Sequence, residues 1–385
     1  KGKRGTSLVD DEFLAEIEQW RETLARNIAL RNSGLSVEDL NFAVQKTIDR
    51  IIFLRMCEDR SIEPFEQLRA LTNGQNAYPR LRKIYQDADD RYNSGLFHFL
   101  PEKDRAEGPD ELTLNLNIDD KVLKDIITGL YYPKSPYEFS VIGADILGNV
   151  YEQFLGKVIR LTSPTAAVVE EKPEVKKAGG VYYTPTYIVD YIVKNTVGKL
   201  CDGKTPKQVS KLRILDPACG SGSFLIGAYQ CLQDWHLEWY VNDGPENHKK
   251  EIYQGPGGMW RLTTAVKKQI LLNNIYGVDI DSQAVEVTKL SLLLKVLEGE
   301  TRETLDAGLK LLHERALPDL GKNIKCGNSL IGTDFDTSGL SGEELRRINP
   351  FDWNVEFADI MKSGGFNAVI GNPPYIFTRE QILLA

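Results

Sequence analysis

Cysteine and histidine are scarce in this sequence, and each scarcity excludes something. The five cysteines (Cys57, Cys201, Cys219, Cys231, Cys326) are scattered, with no C-x-x-C pair. Such a set disfavours a disulfide framework and a structural zinc site, and it fits a reducing cytosol. The four histidines stand alone and give no metal-ligand spacing, so no metal site is expected. Long apolar runs are also missing: none approaches the roughly 18 residues that a membrane span requires. The opening Lys1-Gly2-Lys3-Arg4-Gly5 has no apolar stretch behind it, so it is not read as a secretory signal. It also lacks an initiator Met, so the chain is read as a piece of something longer. A basic excess is absent too. The net charge of -8 argues mildly against a dedicated nucleic-acid-binding module, while leaving room for a local basic face.

What is present is an ordinary globular composition, 42% hydrophobic and 26% charged, over 385 residues, enough for two or three domains. Residues 8 to about 60 read as helix, with Phe13, Leu14, Ile17 and Trp20 at helical spacing. Ser36, with Asp39 behind it, is an expected N-cap for a second helix through Phe42, Ile48 and Leu54. Residues 61–135 mix short helical patterns with turns, and 137–160 read as a further helix. Around Ser163-Pro164-Thr165 and Glu170-Glu171-Lys172-Pro173 the composition turns polar, and residues 161–178 are expected to form a linker or mobile loop. After that, strand and helix patterns alternate. Strands are expected at 212–215, 275–280, 323–326 and 366–370, with helices over 224–239 and 284–297. The fold class is therefore α/β with a mainly parallel sheet, preceded by a mainly helical domain.

The chemistry sits at the strand ends. The first strand runs into Asp216-Pro217-Ala218-Cys219-Gly220-Ser221-Gly222-Ser223 and then a helix. Its glycines permit a tight turn and close approach of a ligand. The loop lacks the G-x-G-x-x-G spelling of a dinucleotide site and any Walker lysine, and an acidic Asp216 suits an ammonium group better than phosphates. A glycine turn alone would more often be only a turn. Asp279, ending the second strand, can accept bonds from both ribose hydroxyls, with Ile280 placed to pack on an adenine face. Asp281 is assigned to capping the next helix. After the fourth strand and Gly371 comes Asn372-Pro373-Pro374-Tyr375. The Asn372 amide oxygen and the Pro373 carbonyl are two acceptors, and Tyr375 offers a stacking face, a set suited to a planar amine such as adenine N6. Standing alone, the tetrapeptide would read as a proline-rich surface turn.

Taken in this order, the motifs resemble the gamma-class N6-adenine DNA methyltransferases, as found in type IIG (Eco57I-like) restriction–modification enzymes. The likeness is strong over about 179–376 and loose over 8–160. It implies a Rossmann-like, S-adenosyl-L-methionine-dependent sheet and direct methyl transfer to an adenine flipped out of double-stranded DNA. By resemblance, Tyr183 and Thr184 in Gly180-Val181-Tyr182-Tyr183-Thr184-Pro185 belong to the cofactor pocket, with Thr184 on the methionine carboxylate. Asp216, Ala218, Gly220 and Gly222 match the main cofactor loop, and Asp279 and Ile280 the ribose and adenine contacts. In Cys326-Gly327-Asn328-Ser329-Leu330, Asn328 stands where the family often has aspartate, with Ser329 beside it. Asn372, Pro373, Pro374 and Tyr375 match the catalytic tetrapeptide. No metal and no cysteine nucleophile is implied, and Cys219 is read as a packed residue.

The resemblance further implies a helical connector over 1–160 and the N-terminal part of a catalytic domain over 179–385. The remaining strands and the target recognition domain are expected to lie outside this chain, and a nuclease, if present, ahead of it. DNA is the expected partner, a membrane is not, and the expected location is the prokaryotic cytoplasm. Two rival readings remain open. One is a glutamine or RNA-adenine methyltransferase using the same tetrapeptide; the other is a non-catalytic helical interaction module on a degenerate methyltransferase fold.

Overall fold

The computed structural model describes residues 6–92, 94–102, 108–135, 137–140, 142–172, 184–305, 316–336 and 338–373. The N-terminal part is helical: α1 (Thr6–Arg31), α2 (Val37–Asp59), α3 (Ala77–Tyr92), α4 (Glu111–Leu114), α5 (Asp120–Gly129) and α6 (Ala144–Leu155). Ser36 caps α2 as its sequence predicts. Its hydroxyl accepts from Asp39 N at 3.0 Å while the Asp39 carboxylate accepts from Ser36 N at 3.2 Å, so two otherwise orphaned donors are satisfied reciprocally. Helix α2 is central, buried on nearly every side from Ala43 to Glu58.

Two expectations are corrected here. The helix expected over 137–160 ends at Leu155, and Lys157–Ser163 (β1) pairs antiparallel with Ala166–Glu171 (β2). The segment expected as a linker or mobile loop is thus, through Glu171, largely a hairpin. Its Pro164-containing polar stretch is the hairpin turn, and Val158, Ile159, Val168 and Val169 are the β-formers on either side. Asn41 on α2 anchors it, accepting from Ile159 N at 3.1 Å and donating to Ile159 O at 2.9 Å. Residues 173–178 of that expected segment lie outside the described residues.

The second part begins with α7 (Thr186–Val193) and alternates strands with helices: β3 (Ile214–Asp216), α8 (Ser223–Asn242), a small hairpin β4–β5 (Ile252–Gln254, Trp260–Leu262), α9 (Thr264–Asn274), β6 (Ile275–Asp279), α10 (Ser282–Val296), β7 (Ile324–Cys326) and β8 (Ala368–Val369). Strands β7-β6-β3-β8 form a parallel sheet in that order. Alternate residues face opposite sides, as the pleat requires. Ile214 and Ile275 point into the main helical core, whereas Leu215, Tyr276 and Val278 meet an aromatic layer made by Phe351, Phe357, Trp353 and Phe366. Burial of the central strands β3 and β6 on both faces explains why they read as short apolar runs rather than as alternation. The helical part adds to the same core. Buried residues from Phe13 through Leu290 to Ile370 form one contiguous cluster. Polar contacts lock the seam: Lys46 of α2 pairs with Glu286 of α10, and Arg60 donates to Leu294 O at 3.1 Å.

Candidate active site

Parallel strands place their carboxyl ends on one edge of the sheet, so residues far apart in sequence meet there. Strand pairing runs right up to the edge: Ile370 N donates to Leu215 O at 2.9 Å, Cys219 N to Val278 O at 3.0 Å and Gly327 N to Asp279 O at 2.8 Å. The loop after β3 turns sharply through Gly220 (φ +53°) and Gly222 (φ +87°). At Gly222 a Cβ would also stand 3.0 Å from the Thr288 side chain, so both conformation and space call for glycine. Thr288 holds the loop by donating to Gly220 O at 2.8 Å. No pattern in the sequence pointed to Thr288; its one signal was a hydroxyl on a strongly apolar helix.

Two carboxylates mark the edge. Asp216 is 1% exposed and accepts from Ala218 N at 3.1 Å. Burial, with added repulsion from Asp279, pushes its pKa up to about 7 against the lowering effect of the Ala218 N–H. Asp279 accepts from Gly220 N at 2.8 Å through one oxygen and from Asp281 N at 2.9 Å through the other. Burial raises its pKa as well, despite these two N–H groups. Neither carboxylate has an ion-pair partner among the described residues. The cation that Asp279 feels, Lys172, is bonded instead to Asp281. Asp281 caps α10, accepting from Gln283 N at 3.0 Å, as assigned from the sequence.

The other site residues fall along the same edge. Ile280 is 49% exposed beside Asp279, an apolar side chain open to the edge. Asn328 spends its amide oxygen on its own turn, accepting from Leu330 N at 3.0 Å and Ile331 N at 3.3 Å, which leaves the Nδ2 donors as the end it can offer outward. The Ser329 carbonyl accepts from Trp353 Nε1 at 3.2 Å. Asn372 and Pro373 are exposed beyond β8. Asn372 Nδ2 donates to Oγ1 of the buried Thr184 at 3.2 Å, bringing the first and last motifs together. Gly371 was passed over in the reading of the sequence and is spatially critical: a Cβ there would lie 2.5 Å from Asp216 Oδ1. Tyr183, Pro374 and Tyr375 lie outside the described residues. Cys219 is buried, and burial pushes its thiol well above the ordinary range, so it is a packing residue. Among the described residues, no group of three or more His, Cys, Asp or Glu side chains is placed to hold a metal ion, and no helix is long and apolar enough to cross a membrane.

The set of acceptors has a chemical meaning. Ionised carboxylates have about four acceptor positions each. Asp279 uses two and Asp216 one, so both retain acceptors for a ligand's hydroxyl and ammonium donors. Phosphates would be repelled. Cationic ligands would relieve the burial penalty that raises both groups.

Comparison with known proteins agrees. Residues 143–314 match the family described as N-6 DNA Methylase, and residues 273–383 match Eco57I restriction-modification methylase. The chain is 37% identical over 372 residues to the type II restriction enzyme and methyltransferase RM.Eco57I of Escherichia coli, covering 97% of this chain and 34% of that protein. It is 24% identical over 398 residues to the adenine-specific methyltransferase PglX of Streptomyces coelicolor, covering 96% of this chain and 29% of that protein. The chain thus spans about a third of the length of these relatives. Both family matches fall on the part that carries the site, and over nearly its whole length the chain is similar to a type II restriction enzyme and methyltransferase of which it covers about a third.

Proposed function

We propose that this chain carries the cofactor pocket and catalytic turn of an enzyme that methylates adenine N6 in double-stranded DNA, using S-adenosyl-L-methionine, as the modification activity of a prokaryotic restriction–modification protein. The observation that carries the reading is the pair of carboxylates, Asp216 and Asp279, at adjacent strand ends, both with raised proton affinity and neither with an ion-pair partner among the described residues. In this reading the sheet is Rossmann-like, residues 179–385 belong to the catalytic domain, and the helical residues 1–160 connect it to the rest of the protein. Asp216 faces the cofactor's ammonium, Asp279 its ribose hydroxyls, Ile280 its adenine face, and Asn328 its adenine edge through the amide donors. Ala218, Gly220, Gly222, Tyr183 and Ser329 shape the pocket.

S-adenosyl-L-methionine supplies an electrophilic methyl group on a positively charged sulfur. The protein's task is to present a nucleophile in line with it. A target adenine leaves the duplex to reach the pocket. The Asn372 amide oxygen and the Pro373 carbonyl then accept from its N6–H groups, which pushes electron density toward the nitrogen and orients its lone pair. Pro374 keeps the turn rigid, and Tyr375 stacks on the base.

The test is calorimetric titration with S-adenosyl-L-methionine, followed by radiolabelled methyl transfer to duplex DNA, RNA and a glutamine peptide. Cofactor binding that vanishes in Asp279→Ala, with transfer to duplex DNA in the full-length protein, is the expected result. Preferred transfer to RNA or peptide, or a folded protein that ignores the cofactor, would sink it.

A further inference from the structure

We propose that Thr184 is a positioning residue for Asn372: its hydroxyl senses the anionic end of the cofactor and thereby fixes the Asn372 amide with its oxygen toward the target amine. This rests on the methyltransferase reading above. The contact that carries it spans 188 residues of sequence, Asn372 Nδ2 donating to Thr184 Oγ1 at 3.2 Å, with Thr184 only 9% exposed.

The physics lies in the two ends of an amide. They are nearly the same shape, one donating and the other accepting, and a hydroxyl can serve either. While its proton is uncommitted, Thr184 can accept from Nδ2 or, with the amide turned over, donate to Oδ1. A carboxylate on the same hydroxyl takes that proton. Only lone pairs then remain for Asn372, so Nδ2 alone can face Thr184 and Oδ1 is held on the opposite side as an acceptor. Bonds in such a chain also polarise one another and strengthen. On the turn's other flank Gly371 passes close to the Asp216 carboxylate, which an added Cβ would approach to 2.5 Å. Asp216 and Thr184, assigned to opposite charges on the cofactor's amino-acid end, thus also border the catalytic turn, and Thr184 is bonded to it. Cofactor occupancy and amide orientation become one event. By thermodynamic reciprocity, Asn372 must then favour cofactor binding without touching the cofactor.

A double-mutant cycle in the full-length protein tests this, with Thr184→Val, Asn372→Ala, their combination, and Thr184→Ser as the conservative control. Two quantities are read: the S-adenosyl-L-methionine dissociation constant by calorimetry, and kcat and KM for duplex DNA. Asn372→Ala is expected to weaken cofactor binding about threefold when Thr184 is present and not at all in the Thr184→Val background. At saturating cofactor, Thr184→Val is expected to lower kcat about 30-fold with KM for DNA unchanged, and Thr184→Ser to recover most of the loss. Independent effects on the dissociation constant, or a Thr184→Val protein with full kcat at saturating cofactor, would overturn the proposal while leaving the enzyme assignment intact. Wild-type protein that neither binds the cofactor nor methylates duplex DNA overturns both.

Discussion

In the helical half, Arg50 is wholly buried and bonded on all three nitrogens: Nε to Leu96 O at 2.7 Å, Nη1 to Thr113 Oγ1 at 2.6 Å and Nη2 to the Asp110 carboxylate at 2.7 Å. Its guanidinium also sits 4.7 Å over the Phe99 ring. Burial by itself would raise Asp110, yet Arg50 and the Thr113 bonds overcome this and hold its pKa below the ordinary value. At the sheet edge Asp216 is more deeply buried, accepts one backbone bond and is pushed to about 7. The same residue type is charged in one place, where an arginine and a threonine bind it, and poised to take a proton in the other, where it lies deeper and has one backbone donor. A charge kept for architecture carries its counter-ion with it; a charge kept for a ligand waits for one.

This contrast can be broken from either side. The largest effect is expected from Arg50→Met, which strands the Asp110 carboxylate. Denaturant unfolding should show a loss of about 3–5 kcal/mol, and a loss near zero would mean that the helical pair is dispensable. Next is Asp279→Ala, expected to weaken S-adenosyl-L-methionine binding about 100-fold while leaving the unfolding midpoint no lower. A destabilised, cofactor-binding variant would place Asp279 among the architectural charges.

Asp216 sharpens the contrast through pH. Its folded-state proton affinity is raised, so ionisation destabilises the cofactor-free fold. That penalty is absent below the ordinary carboxylate range, grows as pH rises and is complete above about pH 7. A cationic ligand needs the ionised form, so cofactor affinity should rise as pH passes upward through about 7. In Asp216→Asn both trends should flatten and affinity at pH 8 should fall about tenfold. An unchanged pH profile in that variant would remove Asp216 from the pocket. The smallest effect is expected from Asp281→Ala, a loss of about 1 kcal/mol in thermal unfolding from the α10 cap.

Much of the candidate site is legible in the sequence alone. The Asp216–Gly222 turn, Asp279, the Ser36–Asp39 capping box and the Asp281 cap are local devices, set by residues within a few positions of one another. Local signals survive in a linear reading because the backbone groups they satisfy are their sequence neighbours. The four strands were visible for a related reason, each being an apolar run bounded by turns. The β1–β2 hairpin was not. Its short strands flank a polar Pro164 turn, and what fixes them is Asn41, which lies 118 residues from Ile159.

The sequence by itself determined the order of motifs, the parallel α/β class and the identity of the residues at each strand end. Only the tertiary structure decided which of them touch. Closing the sheet in the order β7-β6-β3-β8 sets Asp216 against Gly371, brings Thr184 to Asn372, and leaves the two carboxylates without a counter-ion among the described residues. Sequence spacing carries no record of those contacts. They depend on strand neighbours chosen by packing around the central strands, a property of the core rather than of any segment within it.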